Sequence, residues 1–443
     1  MKKLFSLIPI FILAIAAAAQ LRVSPLPIKE RKLPNGLTVV SVKDNSSPSV
    51  SIHVWYDVGS KNDPPGRNGF AHLFEHIMFK STKNMKSEMF DRLTEDVGGY
   101  NNASTWDDFT QYYEVIPSNH LETLLWAEAE RMANLTVDEA NFKSERAVVE
   151  EEYRQSYLAR PYGMFNYYLQ SLSYTTHPYH RTTIGTLEDL DTATVKDVQD
   201  FHSTYYRPDN AYLIVVGDFD QTQFDNWVDK YFGKIGHPAT AIPRVTVKEP
   251  PRTKEVRVAK ERPNVPFPAV GITYLGPRSD DPDVPALKVA EKILSGGESA
   301  RLYQSLVYKQ QIAEEAAFEM QDRAEGGLLV FLAIAAQGKT PDMLEKGLLA
   351  ELKKIQTSGV TARELAKAKN QLVADAVRDR ENNDGKAYAI EFAIAYQHNP
   401  QAVNTDIQRL QAVTAADVLH VMKKYFSDNN GMVLYYQNEG GAK

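Results

Sequence analysis

Thr194-Val195-Lys196-Asp197-Val198 leads, through Tyr205 and Asn210, into Tyr212-Leu213-Ile214-Val215-Val216. The pattern returns as Thr414-Ala415-Ala416-Asp417-Val418, Tyr425, Asn430 and Met432-Val433-Leu434-Tyr435-Tyr436, at an offset of 220 residues throughout. Leu190 and Leu410 extend it by the same offset. Such a repeat in 443 residues, too long for one ordinary core, implies two like domains from a duplication. Each half mixes strands and helices in irregular order, which favours the α+β class. Between the copies, Gly236, Pro238, Pro243, Pro250 and Pro251 break any periodicity. The expected division is a signal peptide over 1–19, an N-terminal domain over 20–235, a linker over 236–252 and a homologous C-terminal domain over 253–443.

Working outward, Pro34-Asn35-Gly36 reads as a turn into a strand over 37–42. Val50, Ile52, Val54, Tyr56 and Val58 alternate with Ser51, His53, Trp55 and Asp57, the period of a strand. A Pro/Gly loop over 63–66 then precedes a helix expected from near Gly69 to near Lys80. Thr136 and Glu139 have capping-box spacing ahead of a helix running to about Arg154, and Thr361 and Glu364 repeat that box.

Composition narrows the function. A net charge of −7 offers no basic surface for nucleic acid. With no cysteine, disulfides, thiolate metal sites and thiol nucleophiles are excluded, as is a lipid anchor on cysteine. Met1-Lys2-Lys3, an apolar run over 4–19 broken only by Ser6 and Pro9, and Ala17-Ala18-Ala19 before Gln20 read as a secretory signal peptide. The expectation is export, with the periplasm of a Gram-negative bacterium as destination and no stable membrane insertion after cleavage.

The chemistry sits in His72-Leu73-Phe74-Glu75-His76. Histidines at i and i+4 lie on one face of a helix, one turn apart, a separation that suits two imidazoles on one tetrahedral zinc. Glu75 stands beside them without filling a ligand position and can take a proton from an activated water. A third ligand is needed, and Glu150, Glu151 and Glu152 follow on the later helix. Spacing alone leaves those three equally open, although Glu145 and Glu152, seven apart, share a face.

These residues resemble the pitrilysin/insulinase family of inverted-motif zinc peptidases, which includes the mitochondrial processing peptidases. The likeness runs through Val58-Gly59-Ser60, Pro64-Pro65-Gly66-Arg67 and Gly69 to His76. It continues in Gly98-Gly99-Tyr100-Asn101-Asn102-Ala103-Ser104-Thr105, in Glu145-Arg146 through Glu152, in Arg207-Pro208-Asp209-Asn210, and in Gly296-Gly297-Glu298-Ser299-Ala300-Arg301-Leu302-Tyr303. The resemblance implies one Zn2+ per chain on His72, His76 and Glu152, Glu75 as general base, and Glu145 as a carboxylate that orients a ligand. It implies two similar domains, each a mainly antiparallel sheet with helices packed on it, forming one half-shell of a peptidase chamber. Asn102, Ala103 and Thr105 would present a strand edge to an extended peptide substrate.

Two departures matter. With the capping boxes aligned, Glu145 falls on Asn370 and Glu152 on Val377, so the C-terminal domain is expected to be metal-free. Complete members of the family also carry an Arg/Tyr pair, where this chain has Val307 and Glu314, with Tyr308 and Arg323 nearby. Neither Val307 nor Glu314 can stabilise an oxyanion. The resulting expectation is a zinc endopeptidase or oligopeptidase subunit completed by a homologous second subunit that carries Arg and Tyr, with a homodimer as the other closing assembly. The competing expectation is a non-catalytic structural or peptide-enclosing subunit of the same fold.

Overall fold

The computed structural model describes residues 23–427 and 429–440. The expected signal peptide lies outside them. Among the described residues, no helix is long and apolar enough to cross a membrane.

Six strands form the first sheet: β1 (Lys29–Lys32), β2 (Thr38–Lys43), β3 (Ser49–Tyr56), β4 (Tyr100–Thr105), β5 (Thr110–Pro117) and β6 (Ala211–Gly217). Their spatial order is β1-β2-β6-β3-β5-β4. Five form the second: β7 (Val256–Arg262), β8 (Ala269–Leu275), β9 (Ala313–Gln321), β10 (Leu328–Ala335) and β11 (Met432–Asn438), in the order β7-β11-β8-β10-β9. The 220-residue repeat thus lands on β6 and β11. Each lies parallel to the first strand of the shared pattern, β2 or β7, and antiparallel to the next, β3 or β8. The fold is two like α+β domains. Residues 236–252 carry no helix or strand.

The alternation in β3 predicts one buried and one wetter face, yet Ser51, His53 and Trp55 are as buried as Val50, Ile52 and Val54. Their cover comes from the other half of the chain. Helix Asn383–Gln397 lays Ala387, Ile390 and Ile394 on Val40, Val42, Trp55, Ile214 and Val216. The exchange is reciprocal. Helix Gly163–Ser171 of the first half packs Phe165 and Leu169 against Leu328, Val330 and Leu434 of the second sheet. Gly271 makes room for it, since a Cβ there would meet Leu169 Cδ2 at 2.3 Å. Each sheet therefore has its own helices on one face and a borrowed helix on the other.

The first of these interfaces contains a buried titratable cluster. His53 Nδ1 lies 2.8 Å from Glu391 Oε2, and Nε2 lies 3.2 Å from Asp384 Oδ1. Asp384 also accepts from Ser51 Oγ and Tyr100 Oη. Each ring nitrogen thus faces a carboxyl group, and burial raises that of Glu391 above its ordinary range. Burial opposes charge on the ring, but Asp384 and Glu391 outweigh it and raise the ring pKa above its ordinary value.

His53→Leu leaves Glu391 buried without its cation and is expected to cost roughly 3–5 kcal/mol of unfolding free energy near pH 6. A raised folded-state pKa gives stability that is fully present below the unfolded value of about 6.5 and is lost as pH rises through the folded one. Measured against the double variant His53→Leu, Glu391→Gln, which removes the buried carboxyl as well, the advantage of the wild type should therefore narrow as pH increases above about 6.5. Urea unfolding at stepped pH checks this; a constant gap contradicts it.

Candidate metal centre

The motif helix is Phe70–Ile77, shorter than the sequence predicts because the chain turns away after Met78. Its start is fixed twice. Gly69 has φ +97°, and a Cβ there would lie 2.3 Å from the Ile184 carbonyl oxygen, so only glycine fits. The buried carboxylate of Asp63 then accepts from the amides of Gly69 at 2.7 Å and Ala71 at 2.9 Å. This satisfies donors that a helix leaves open at its first turn. Burial pushes the Asp63 carboxyl up to about 7, against the pull of those amides.

The second helix is Glu139–Tyr153. Thr136 is not its cap. Its amide is tied to the Ser81 carbonyl, and the chain stays extended until Asp138, which accepts from Asn141 N at 2.8 Å. The predicted box at Thr361 and Glu364 does form. The two boxes aligned in the sequence are therefore not equivalent structurally.

The two helices bring His72, His76 and Glu152 together, with one ligand-type atom of each within 4.8 Å of the others. Glu152 Oε2 lies 3.6 Å from His72 Nε2 and 3.5 Å from His76 Nε2. Among the described residues this is the group of three or more His, Asp or Glu side chains so arranged. Glu150 turns instead to Arg146 and Arg154, and Glu151 to Gln155 and Arg154. Glu145 stands behind His76, its Oε2 3.7 Å from Nδ1, while its Oε1 pairs with Lys80 at 2.9 Å. Lys80 carries no sequence signal for this role.

Electrostatics fit the donor set to a cation. Burial takes the His72 ring down to about 4, so it is neutral with a free lone pair. Burial also disfavours charge on His76, but Glu145 and Glu152 prevail and raise it to about 9. The bond from His76 holds the Glu152 carboxyl below its ordinary range. Positive charge between these carboxylates is favoured, and two imidazoles with one carboxylate are a known set for a divalent metal with an open position. Glu75 lies beside the cluster; burial raises its pKa, while a 2.5 Å bond from Thr105 Oγ1 to its Oε2 opposes the rise.

The three residues expected at the strand edge lie on β4, the last strand of its sheet. Asn102 Oδ1 accepts from the Ala103 amide at 2.8 Å, so that amide points away from β5. Thr105 spends its hydroxyl on Glu75, a contact the sequence did not suggest. Arg323 is 5% exposed and bonded to Asp107 at 2.6 Å, so it is not available to a ligand of this site. Tyr308, in contrast, is 67% exposed. A cavity of about 970 Å3 opens beside Trp106 and Phe392, but none of His72, Glu75, His76 or Glu152 lines it. Within the cluster His72 is buried, and His76 and Glu152 are half-buried.

Residues 38–187 match the model of insulinase (peptidase family M16), and residues 192–372 match that of the peptidase M16 inactive domain. The chain belongs to the M16 family of peptidases. It is 32% identical over 438 residues to the zinc protease PqqE of Helicobacter pylori, covering 98% of each chain. It is 24% identical over 407 residues to an Arabidopsis thaliana protein named "Probable mitochondrial-processing peptidase subunit beta", covering 90% of this chain and 76% of that one. The crystal structure of a protease from Helicobacter pylori superposes with a TM-score of 0.90 at 31% identity, covering 94% of this chain and all of that one.

Asp63→Ala should strip two amides of their acceptor at the start of the motif helix and destabilise the fold by about 1–2 kcal/mol. The zinc content of the purified protein should fall with it, because the helix that carries both histidines loses its anchor. Thermal unfolding and metal analysis check this; a variant with unchanged zinc content and unchanged stability contradicts it.

Proposed function

We propose that this chain is a zinc-dependent peptidase subunit that hydrolyses extended peptides, with His72, His76 and Glu152 as metal ligands and Glu75 as general base. The observation that carries the reading is the convergence of two imidazole nitrogens and one carboxylate from separate helices, with a second carboxylate, Glu75, next to them. The family's zinc proteases support it. When bound, a divalent cation supplies Lewis acidity toward a peptide carbonyl and a water molecule. Glu145 orients the His76 ring through Nδ1, and Lys80 holds Glu145 in turn. Glu75, held by the Thr105 hydroxyl at Oε2, takes the proton of the attacking water and delivers it to the leaving amide nitrogen.

The peptide lies along the open edge of β4. Outward-facing residues alternate in an antiparallel pair. The Ala103 amide faces outward and the Trp106 amide bonds inward to the Phe109 carbonyl, so Asn101 and Ala103 present their main chain to the peptide, while the outward Thr105 amide faces the Glu75 carboxylate and only its carbonyl is left to the peptide. Asn102 caps the Ala103 amide and gives way when a peptide carbonyl arrives. Main-chain pairing of this kind is tolerant of sequence.

The chain supplies no oxyanion donor at positions 307 and 314: Val307 packs into the second core and Glu314 is exposed. This favours a second, homologous chain that contributes Arg and Tyr and closes a chamber. The residues at 1–19 favour export to the periplasm.

Glu75→Gln is expected to keep its zinc and lose nearly all turnover of a fluorogenic peptide. Glu152→Gln should lose zinc, and Glu151→Gln should lose neither zinc nor turnover. Retained turnover in Glu75→Gln refutes the base assignment, and a full zinc complement in Glu152→Gln refutes the third ligand.

The partner makes its own prediction. The purified chain alone should turn over peptides at least about a hundredfold more slowly than when mixed with the completing subunit. A monomer with full activity on light scattering and assay contradicts it.

A further inference from the structure

Thr105 is bonded on two sides by different parts of the machinery. Its main chain faces the open edge of β4, in the same alternating set as Ala103. Its hydroxyl donates to Glu75 Oε2 at 2.5 Å, reaching from the edge strand to the motif helix. A carboxylate rotates broadly about its last torsion. A donor fixed on one oxygen sets the plane of the group and so the direction in which the other oxygen points.

Thr105 is itself held in place. The turn that follows it receives donors from both halves of the chain. Asp107 accepts from Ser60 Oγ at 3.0 Å, Gln170 Nε2 at 2.9 Å and Arg323 Nε at 2.6 Å. Asp108 accepts from Lys61 Nζ at 2.8 Å, Tyr179 Oη at 2.5 Å and the Ala324 amide at 2.9 Å. Gly59 backs directly onto the turn, where a Cβ would sit 2.4 Å from the Trp106 carbonyl oxygen. The strand end cannot shift without breaking several of these bonds. A threonine chosen only for its fit in a strand has no need to place its hydroxyl on a carboxylate of the motif helix.

We propose that Thr105 is a positioning residue for the hydrolysis. Its hydroxyl, with its amide beside it, fixes the carboxylate of Glu75, while its outward carbonyl is left to the peptide backbone. One residue therefore sets both the register of the peptide and the aim of the base, and the scissile amide arrives in register with the oxygen that serves it. This rests on the reading of Glu75 as general base. Arg323 and Asp107, which tie the adjoining turn to the second domain, give the metal-free half of the chain a part in the same alignment.

The test uses the zinc-loaded protein, with its partner present if activity requires one. Thr105→Val keeps the shape and the β-branch but removes the donor; Thr105→Ser keeps the donor. The expected result for Thr105→Val is a fall in kcat of about 10- to 100-fold with KM changed by less than about 2-fold. Zinc content and melting temperature should stay as in wild type, and its crystal structure should show the Glu75 carboxylate rotated. Thr105→Ser should recover most of the kcat. Unchanged kcat in Thr105→Val, an equal loss in Thr105→Ser, or an unmoved Glu75 would each overturn the proposal. Glu75→Gln is assayed alongside. If it is inactive while Thr105→Val is fully active, the role of Thr105 alone fails. If Glu75→Gln is itself active, the base reading fails and takes this inference with it.

Discussion

The amides of Gly69 and Ala71 donate to the buried carboxylate of Asp63, and through them the motif helix is pinned at its first turn. Both imidazoles and the proposed base ride on this short helix. Its rotation about its own axis decides whether the rings face Glu152 or the core. Short helices gain little from their own hydrogen bonds and depend on tertiary contacts. Here those contacts are Asp63 at the start, the close approach of Gly69 to Ile184, and the burial of Phe70, Leu73, Phe74 and Ile77 on the opposite side. The polar face is what remains, and it is directed at helix Glu139–Tyr153.

The same economy of elements governs the larger fold. A sheet with helices on one face leaves the other face open, and neither half closes its own. The exchange of Asn383–Gln397 for Gly163–Ser171 covers both. It also couples the halves, since Tyr100 on the edge strand bonds to Asp384 on the borrowed helix. The chain after residue 253 is thus part of the scaffold of the site although His72, His76 and Glu152 lie in the first half.

Much of the fold was legible in the sequence. The repeat on β6 and β11 gave the two like domains, and the alternation in β3 gave a strand. What period-two alternation could not carry was the second burial of β3, because Ser51 and His53 look like a wet face. Their partners, Asp384 and Glu391, are more than 300 residues away. The spacing of His72, Glu75 and His76 announced a cluster, since that geometry is local to one helix. The choice among Glu150, Glu151 and Glu152 was not local, because it depends on how two helices cross, and there family resemblance was needed. Asp63, Lys80 and the Thr105–Glu75 bond left no trace in the sequence pattern, each being a single polar residue whose meaning appears only with its partner. Thr136 misled because a three-residue spacing cannot say which residue leaves the extended conformation.

The central claim is that the side chains of 72, 76 and 152 hold one cation between them. The most direct measurement is an anomalous-difference map from crystals of the protein grown with zinc, recorded on both sides of the zinc edge. The account predicts a single strong peak about 2.0–2.2 Å from His72 Nε2, His76 Nε2 and the Glu152 carboxylate. A peak elsewhere, or none between these groups in fully zinc-loaded protein, would contradict it.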